Sequence, residues 1–381
     1  MTHAQQYLVL GLRLGKHVDG LVDAYYGPAE LKEQVDAEPT IAAESLAAEA
    51  DAMLAELPDS WLYDQVKGCA TYAHVLAGDD ISYLDEVEGC YGVRPEKTPE
   101  SVYEAVHARL EELLPGDGSL YERRQAWRDR HLVDGALATP VVNDLLPILR
   151  TFTEQLVELP AGEQLTVEPV TDEPWWAFNY YLGGLRSRVV LNVDVPTTGT
   201  DLIHLAAHEV YPGHHTEHAV KEHLLMRVRG QIEEGIQLVP TPQAVLSEGI
   251  AETGADLLEE PTRAAAYDVL RKHGIEVNPE LSEQISKALE PLRSVGLDAA
   301  IMIHQDGASL EDAQAYIERW NLVPPEQARH SVSFATDPTW RAYVVTYSAG
   351  RDLCRAYVGG DPARFRRLLT EPVRIGELLS A

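Results

Sequence analysis

Residues 201–223 run Asp201-Leu202-Ile203-His204-Leu205-Ala206-Ala207-His208-Glu209-Val210-Tyr211-Pro212-Gly213-His214-His215-Thr216-Glu217-His218-Ala219-Val220-Lys221-Glu222-His223. Six of the chain's fourteen histidines fall here. Exposed helix faces are built from Lys, Arg and Glu, and histidine at this density gives folding no advantage, so the cluster points to metal ligation. Thr200 or Asp201 is placed to cap the helix after the turn that begins at Pro196. His208-Glu209 opens the pattern His-Glu-x-x-His, in which two histidines four apart bind zinc and the glutamate acts as general base. Position 212 is proline, so the plain pattern is broken, and Pro212-Gly213 ends or kinks the helix. A bulge would bring His214 to the place of the second ligand. His215 lies two turns from His208 and shares its face only if the helix runs straight. His204 and His218, each four positions from one of the pair, read as supporting or surface residues.

A catalytic zinc commonly has three protein ligands and keeps a fourth position for water. Downstream of Pro240-Thr241-Pro242, a second helix carries Glu248 and Glu252, four apart among small and apolar residues. That setting predicts close packing on another helix, and a carboxylate buried there needs a compensating charge, which a metal supplies. Glu248 is the candidate ligand. Glu252 is the candidate partner that steadies a ligand histidine.

Outward from these two segments the chain reads as mainly α. Ile41 to Leu57 and Val141 to Leu159 repeat apolar residues at helical spacing. Thr98-Pro99, Thr139-Pro140, Thr241-Pro242, Asp337-Pro338 and Asp361-Pro362 each read as a capped helix start. About twelve helices are expected. Between Leu165 and Val195 β-branched and aromatic residues take over, with Gly183-Gly184 between two runs, which predicts one small sheet or hairpin ahead of the histidine helix. The texture changes at Pro160. It separates an N-terminal helical region, 1–160, from a region 161–381 holding the sheet, the histidine helix and the C-terminal helices, and the two can form one continuous unit.

The 381 residues include 61 acidic and 31 basic ones, a formal net charge of −30, with 45% apolar residues and a mean hydropathy of −0.20. This composition suits a soluble globular core and excludes collagen-like and disordered chains. The negative balance opposes phosphate backbones and anionic membranes, so neither nucleic acid nor membrane is expected as a partner. Cys69, Cys90 and Cys354 are odd in number and form no CxxC pair, and the N-terminus shows no basic leader, which together fit reduced thiols and a cytoplasmic location. Neither a Gly-rich phosphate loop nor a Gly-x-Ser-x-Gly elbow is found.

The run from His208 to His215, the Glu248-Gly249-Ile250-Ala251-Glu252 segment and Tyr347-Ser348-Ala349-Gly350-Arg351 resemble the bacterial family called domain of unknown function 885. The likeness extends from about Trp175 to Arg355. That family is regarded as one of metallopeptidases, mostly helical and similar in fold to carboxypeptidase Taq and other zinc peptidases of the gluzincin type. Its members are often longer than this chain. Ile250 and Thr253 stand where the family usually has an aromatic residue and a tyrosine, which bears on the substrate pocket more than on the metal. Position by position, the resemblance implies His208, His214 and Glu248 as ligands of one zinc per chain and Glu209 as the base. It implies Tyr347 as donor to the developing oxyanion, with Tyr343 one turn earlier as the alternative. In peptidases of this kind an extended edge strand pairs with the substrate backbone, and Val189 to Val193 lies where such a strand is expected; an ordinary hairpin over the core is the alternative. Trp175, Trp176, Asn179, Tyr180 and Tyr181 are candidates to line a cleft. Arg186, Arg188, Arg341 or Arg351 are candidates to grip a terminal carboxylate.

These expectations converge on a zinc-dependent peptidase, of carboxypeptidase or oligopeptidase type, acting on small peptides or chain ends. Two imidazoles and a carboxylate also accept manganese, cobalt or iron. Ligand geometry fixes the activated water and not the acyl group, so a hydrolase of a small non-peptide amide is a second reading. A non-catalytic metal-binding protein is the third, and Glu209 argues against it, since a structural zinc needs no base.

Overall fold

A computed structural model of the chain describes residues 1–380. Helix dominates, as the apolar periodicity predicts, with nineteen α-helices and five short strands among the described residues. The helices outnumber the expected twelve partly because the end of the chain alone holds three short ones, Arg351–Val358, Pro362–Thr370 and Ile375–Leu379. The Ile41 to Leu57 stretch forms the helix Ala43–Glu56. The helix Gly135–Leu156 starts ahead of Thr139-Pro140, because Asp134 caps it by accepting from the Ala136 amide at 3.0 Å, and Pro140 lies inside it. Asp337-Pro338 opens a series of turns instead of a helix.

Apolar side chains gather in two clusters. In the larger, Tyr7, Leu10, Leu46 and Val66 share one core with Leu145, Ala206, Val245 and Leu369. Each Val or Leu among them gains about 1.5–3 kcal/mol on burial, so this core ties the two halves of the chain together. In the smaller, Tyr103 and Leu110 pack with Ile285, Ile317 and Trp320. Both clusters cross residue 160, and Arg374 adds a bond to Asp64 at 2.6 Å, so the change in texture at Pro160 marks no division of the core.

The strands are β1 (Val22–Tyr25), β2 (Gln164–Val170), β3 (Ala177–Tyr181), β4 (Arg186–Asn192) and β5 (Ile236–Leu238). β3 and β4 form the expected hairpin, but β2 pairs in parallel on the other side, giving the order β2-β4-β3. This corrects the expectation for Val189 to Val193. Most of that run lies in the central strand, whose hydrogen bonds are taken on both sides, and the edge strands are β2 and β3. A second, two-stranded sheet pairs β1 with β5 across most of the chain, with a bulge between Val22 and Ala24. No helix among the described residues is long and apolar enough to cross a membrane.

Candidate metal centre

The helix Gly199–Glu209 opens with a capping box on Thr198, two residues before Thr200 and three before Asp201. Thr198 Oγ1 accepts from the Asp201 amide at 3.3 Å, and Asp201 Oδ2 accepts from the Thr198 amide at 2.9 Å. The helix stops at Glu209, and a second one runs His214–Lys221. Between them, Gly213 packs so tightly that a Cβ would lie 1.8 Å from the His208 carbonyl oxygen, so only glycine fits. The break puts His214 against His208, with ring centroids 4.7 Å apart. His215 turns away. Its ring is fully buried between Ser187 Oγ and Glu163 Oε2, each at 2.8 Å, so the structure takes His214, not His215, to the cluster.

The helix Pro242–Asp256 supplies the carboxylates. Gly249 faces Gly350 so closely that a Cβ on Gly249 would meet the Gly350 carbonyl at 2.2 Å, which draws the segment carrying Tyr343 and Tyr347 onto this helix. Glu248, 7% exposed, has Oε2 at 3.6 Å from His208 Nε2 and Oε1 at 4.0 Å from His214 Nε2. Tyr343 donates to Oε1 at 2.8 Å, while Oε2 has no hydrogen-bond partner. A tetrahedral zinc with bonds of about 2.0–2.2 Å spaces its donors roughly 3.3 Å apart. Ligand atoms of His208, His214 and Glu248 all lie within 4.8 Å of one another, so a modest inward movement fits them to such an ion. The orphaned oxygen gives the fit its chemical reason, because a buried carboxylate without a cation or donor is costly.

A second group, His204, His208 and Glu252, shares His208 with the first. Glu252 Oε1 stands 3.4 Å from both His208 Nδ1 and His204 Nε2, beyond good hydrogen-bond geometry in the His208 case. Its other oxygen is already paired with Arg293 at 2.6 Å, and Arg351 approaches at 3.8 Å. Burial alone would raise the Glu252 carboxyl, but His204, His208 and Arg293 outweigh it and hold the group well below the usual range. A carboxylate so compensated is the weaker ligand. Glu252 therefore sits behind His208, in the supporting place its spacing suggests.

His214 is held from behind by a chain of three residues. Ser247 Oγ donates to Glu217 Oε2 at 2.7 Å and lies 3.2 Å from His214 Nδ1, and Lys221 pairs with Glu217 Oε1 at 2.7 Å. Because the serine proton goes to Glu217, the serine oxygen is left to accept from His214 Nδ1–H. That fixes the tautomer whose Nε2 lone pair faces Glu248. Burial, with His208 and His218 alongside, pushes the His214 imidazole well below its usual pKa, so it stays neutral. His208 is opposite in sense. Burial lowers it, but Glu252, Glu209 and Glu248 together lift it to about 9. Glu209 lies open to the same space, its carboxyl raised by burial to about 7, with Glu248 and Asp23 adding to the rise against His208, near the value that suits a general base at neutral pH.

These side chains line a cavity of about 700 Å³. Trp175, Trp176 and Asn179 line it too, whereas Tyr181 is buried and donates its hydroxyl to Glu222 at 2.5 Å. Tyr343 and Tyr347 both open onto it, Tyr347 being 41% exposed, with rings edge to face at 5.5 Å. The arginines do not come to the site. Arg341 pairs with Glu86 at 2.7 Å and Arg188 with Glu168 at 2.8 Å, while Arg351, 5% exposed, pairs with Glu290 at 2.9 Å and Asp256 at 3.2 Å. Arg186 projects from the exposed side of β4, and none of the four lines the cavity. The carboxylate grip expected of them is withdrawn on these grounds. Asp23, Ser247, Glu217 and Arg293 are site residues that the sequence does not single out. Only the Glu217 and Lys221 pair, oppositely charged and four apart on one helix, carries a local signal.

No protein-family model matches the chain, and no curated protein matches it. The chain is similar in fold to a solved structure of a candidate lipoprotein from Colwellia psychrerythraea, at 16% identity and a TM-score of 0.55. The match covers 92% of this chain and 64% of that one, so this chain spans less than two thirds of the other's length. At that identity the likeness speaks to the mainly helical fold alone.

Proposed function

We propose that the protein is a zinc-dependent peptidase of the gluzincin type, with His208, His214 and Glu248 as the metal ligands of one ion per chain and Glu209 as the general base. The observation that carries this reading is Glu248 Oε2, a buried carboxylate oxygen with no hydrogen-bond partner, facing His208 beside the open carboxylate of Glu209. A bound divalent ion supplies Lewis acidity to an attacking water and to the scissile carbonyl. Glu209 takes the proton of that water and passes it to the leaving nitrogen. Glu252 and Ser247, behind the two histidines, keep their ring orientation. Tyr343 orients Glu248, and Tyr347, free of hydrogen bonds to protein, is left to donate to the carbonyl oxygen under attack. The edge of β3 beside the cavity offers a strand for pairing with the substrate backbone.

The size of the cavity suits small peptides or chain ends, and the resemblance to the domain of unknown function 885 family points the same way. The test is hydrolysis of a mixed peptide library by the zinc-loaded protein, read by mass spectrometry, beside a zinc-loaded Glu209→Gln variant. Cleavage should fall by roughly a hundredfold to ten-thousandfold in the variant. Equal turnover by both proteins would overturn the mechanism. Hydrolysis of small non-peptide amides, with every peptide left intact, would favour the second reading.

A further inference from the structure

Apart from its histidines, the ionisable side chains inside the cavity are acids. Asp23, Glu209, Glu248, Glu252 and Asp337 line it, and no Lys or Arg does. Four of these acids are accounted for. Glu248 and Glu209 belong to the proposed centre, Glu252 is paired with Arg293, and Asp337 Oδ1 accepts from the Thr339 and Trp340 amides at 2.8 and 3.3 Å. Asp23 is the remaining one, without a hydrogen-bond or ion-pair partner among the described residues. It sits at the bulge where the pairing of β1 with β5 slips between Val22 and Ala24, a device that re-aims a side chain, and here it lines the cavity. On the edge strand β3, Asn179 is 7% exposed and lines the same cavity. Its amide nitrogen is tied to the Glu209 carbonyl at 2.6 Å, and its Oδ1 has no partner.

An exposed carboxylic acid and a buried amide oxygen, both acceptors without a protein partner, suit a group that brings positive charge and several N–H donors. We propose that Asp23 and Asn179 form a subsite for the α-ammonium group of a peptide, so that the protein acts at the amino end of its substrate. This rests on the peptidase reading and adds to it which chain end is taken. Asp23 lines the same cavity as His208, Glu209 and Glu248, and Asn179, tied to the Glu209 carbonyl at 2.6 Å, stands next to the centre. The two acceptors suit the first residue of a substrate, whose ammonium brings both the charge and the donors. The long side chain of an internal lysine is the other source of such a group. A terminal carboxylate finds no Lys or Arg in the cavity to meet it.

The test is calorimetric binding to the zinc-loaded Glu209→Gln protein, in which turnover is suppressed. Three probes are used: tetra-alanine amide with a free amino terminus, its N-acetylated form, and an N-acetylated peptide with an internal lysine. The free-amine probe should bind at least tenfold more tightly than the acetylated one. Adding Asp23→Asn, or Asp23→Ser as a second variant, should weaken it by roughly ten- to a hundredfold, the loss of a hydrogen bond to a charged group, with zinc content unchanged. Equal binding of the acetylated probe, preference for the lysine peptide, or no effect of either Asp23 substitution would overturn the proposal. Its failure is separable from failure of the peptidase reading. Hydrolysis of blocked peptides without preference for a free amine removes only the subsite. Asp23-dependent amine binding in a protein that cleaves no peptide removes only the hydrolysis.

Discussion

His208 Nε2 and Glu248 Oε2 face each other across 3.6 Å from two different helices, with no hydrogen bond completing the carboxylate oxygen. Two neighbouring groups share this pattern of support from behind and an unfilled front. His208 has Glu252 at its far nitrogen, and His214 has Ser247 at its own. The arrangement predicts consequences that can be measured separately.

Removing the support behind His214 should loosen the metal without removing a ligand. Ser247→Ala and Glu217→Gln each free the ring to turn or change tautomer, and loss of such outer partners commonly costs 10–100-fold in affinity. Competition against a zinc chelator measures this. Unchanged affinity in both variants, with folding intact, would show that the chain from Lys221 to His214 does not set the ring.

The two tyrosines should separate in kinetics. Tyr343→Phe removes the donor to Glu248 Oε1 and should weaken zinc binding. Tyr347→Phe should leave zinc in place and lower the catalytic rate by roughly a hundredfold or more, with KM nearly unchanged, as expected of a donor used only in the transition state. If the losses are exchanged between the two variants, the roles are reversed.

Metal capture should release protons. In the metal-free protein His208 is lifted to about 9, so at pH 7.5 it carries a proton that a metal must displace. Apparent affinity should therefore rise with pH up to about 9 and level off above it. Titration calorimetry in two buffers of different protonation enthalpy should count about one proton released at pH 7.5. No release would place His208 outside the ligand set.

Glu163 should matter to stability and not to chemistry. Burial would raise its carboxyl, but His215, Tyr211 and Arg150 bring it down to about 2 from the ordinary 4.5. A depressed pKa contributes stability above about pH 4.5, and the contribution is lost as the pH falls from there toward 2. Glu163→Gln should cost about 1–3 kcal/mol at pH 7, and thermal melts at pH 7 and pH 3.5 should show the gap to wild type narrowing. A gap that widens in acid would contradict the assignment.

Much of this centre is legible in the sequence, because its chemistry is local. His208, Glu209 and the Pro212-Gly213 break occupy one short run, and the break that spoils the plain zinc pattern is what chooses His214 over His215. Glu248 and Glu252 stand out as acids among small residues. Other parts have no local signal. Asp23 is a single acid in a four-residue strand whose partner, β5, lies far along the chain. Arg293 and Arg351 meet Glu252 only through tertiary packing. The central place of β4 arises from parallel pairing with β2, which hairpin spacing cannot foretell. The arginines mislead because residue type alone does not show that Glu86, Glu168 and Glu290 are already beside them.

The central claim is the ligand set, and elemental analysis after zinc loading and desalting tests it most directly, comparing wild type with His214→Ala and His215→Ala. The account predicts about one zinc per chain in the wild type and in His215→Ala, whose ring is bound to Ser187 and Glu163, and loss of zinc from His214→Ala. Full zinc in His214→Ala with loss from His215→Ala, in proteins shown to be folded, would contradict it.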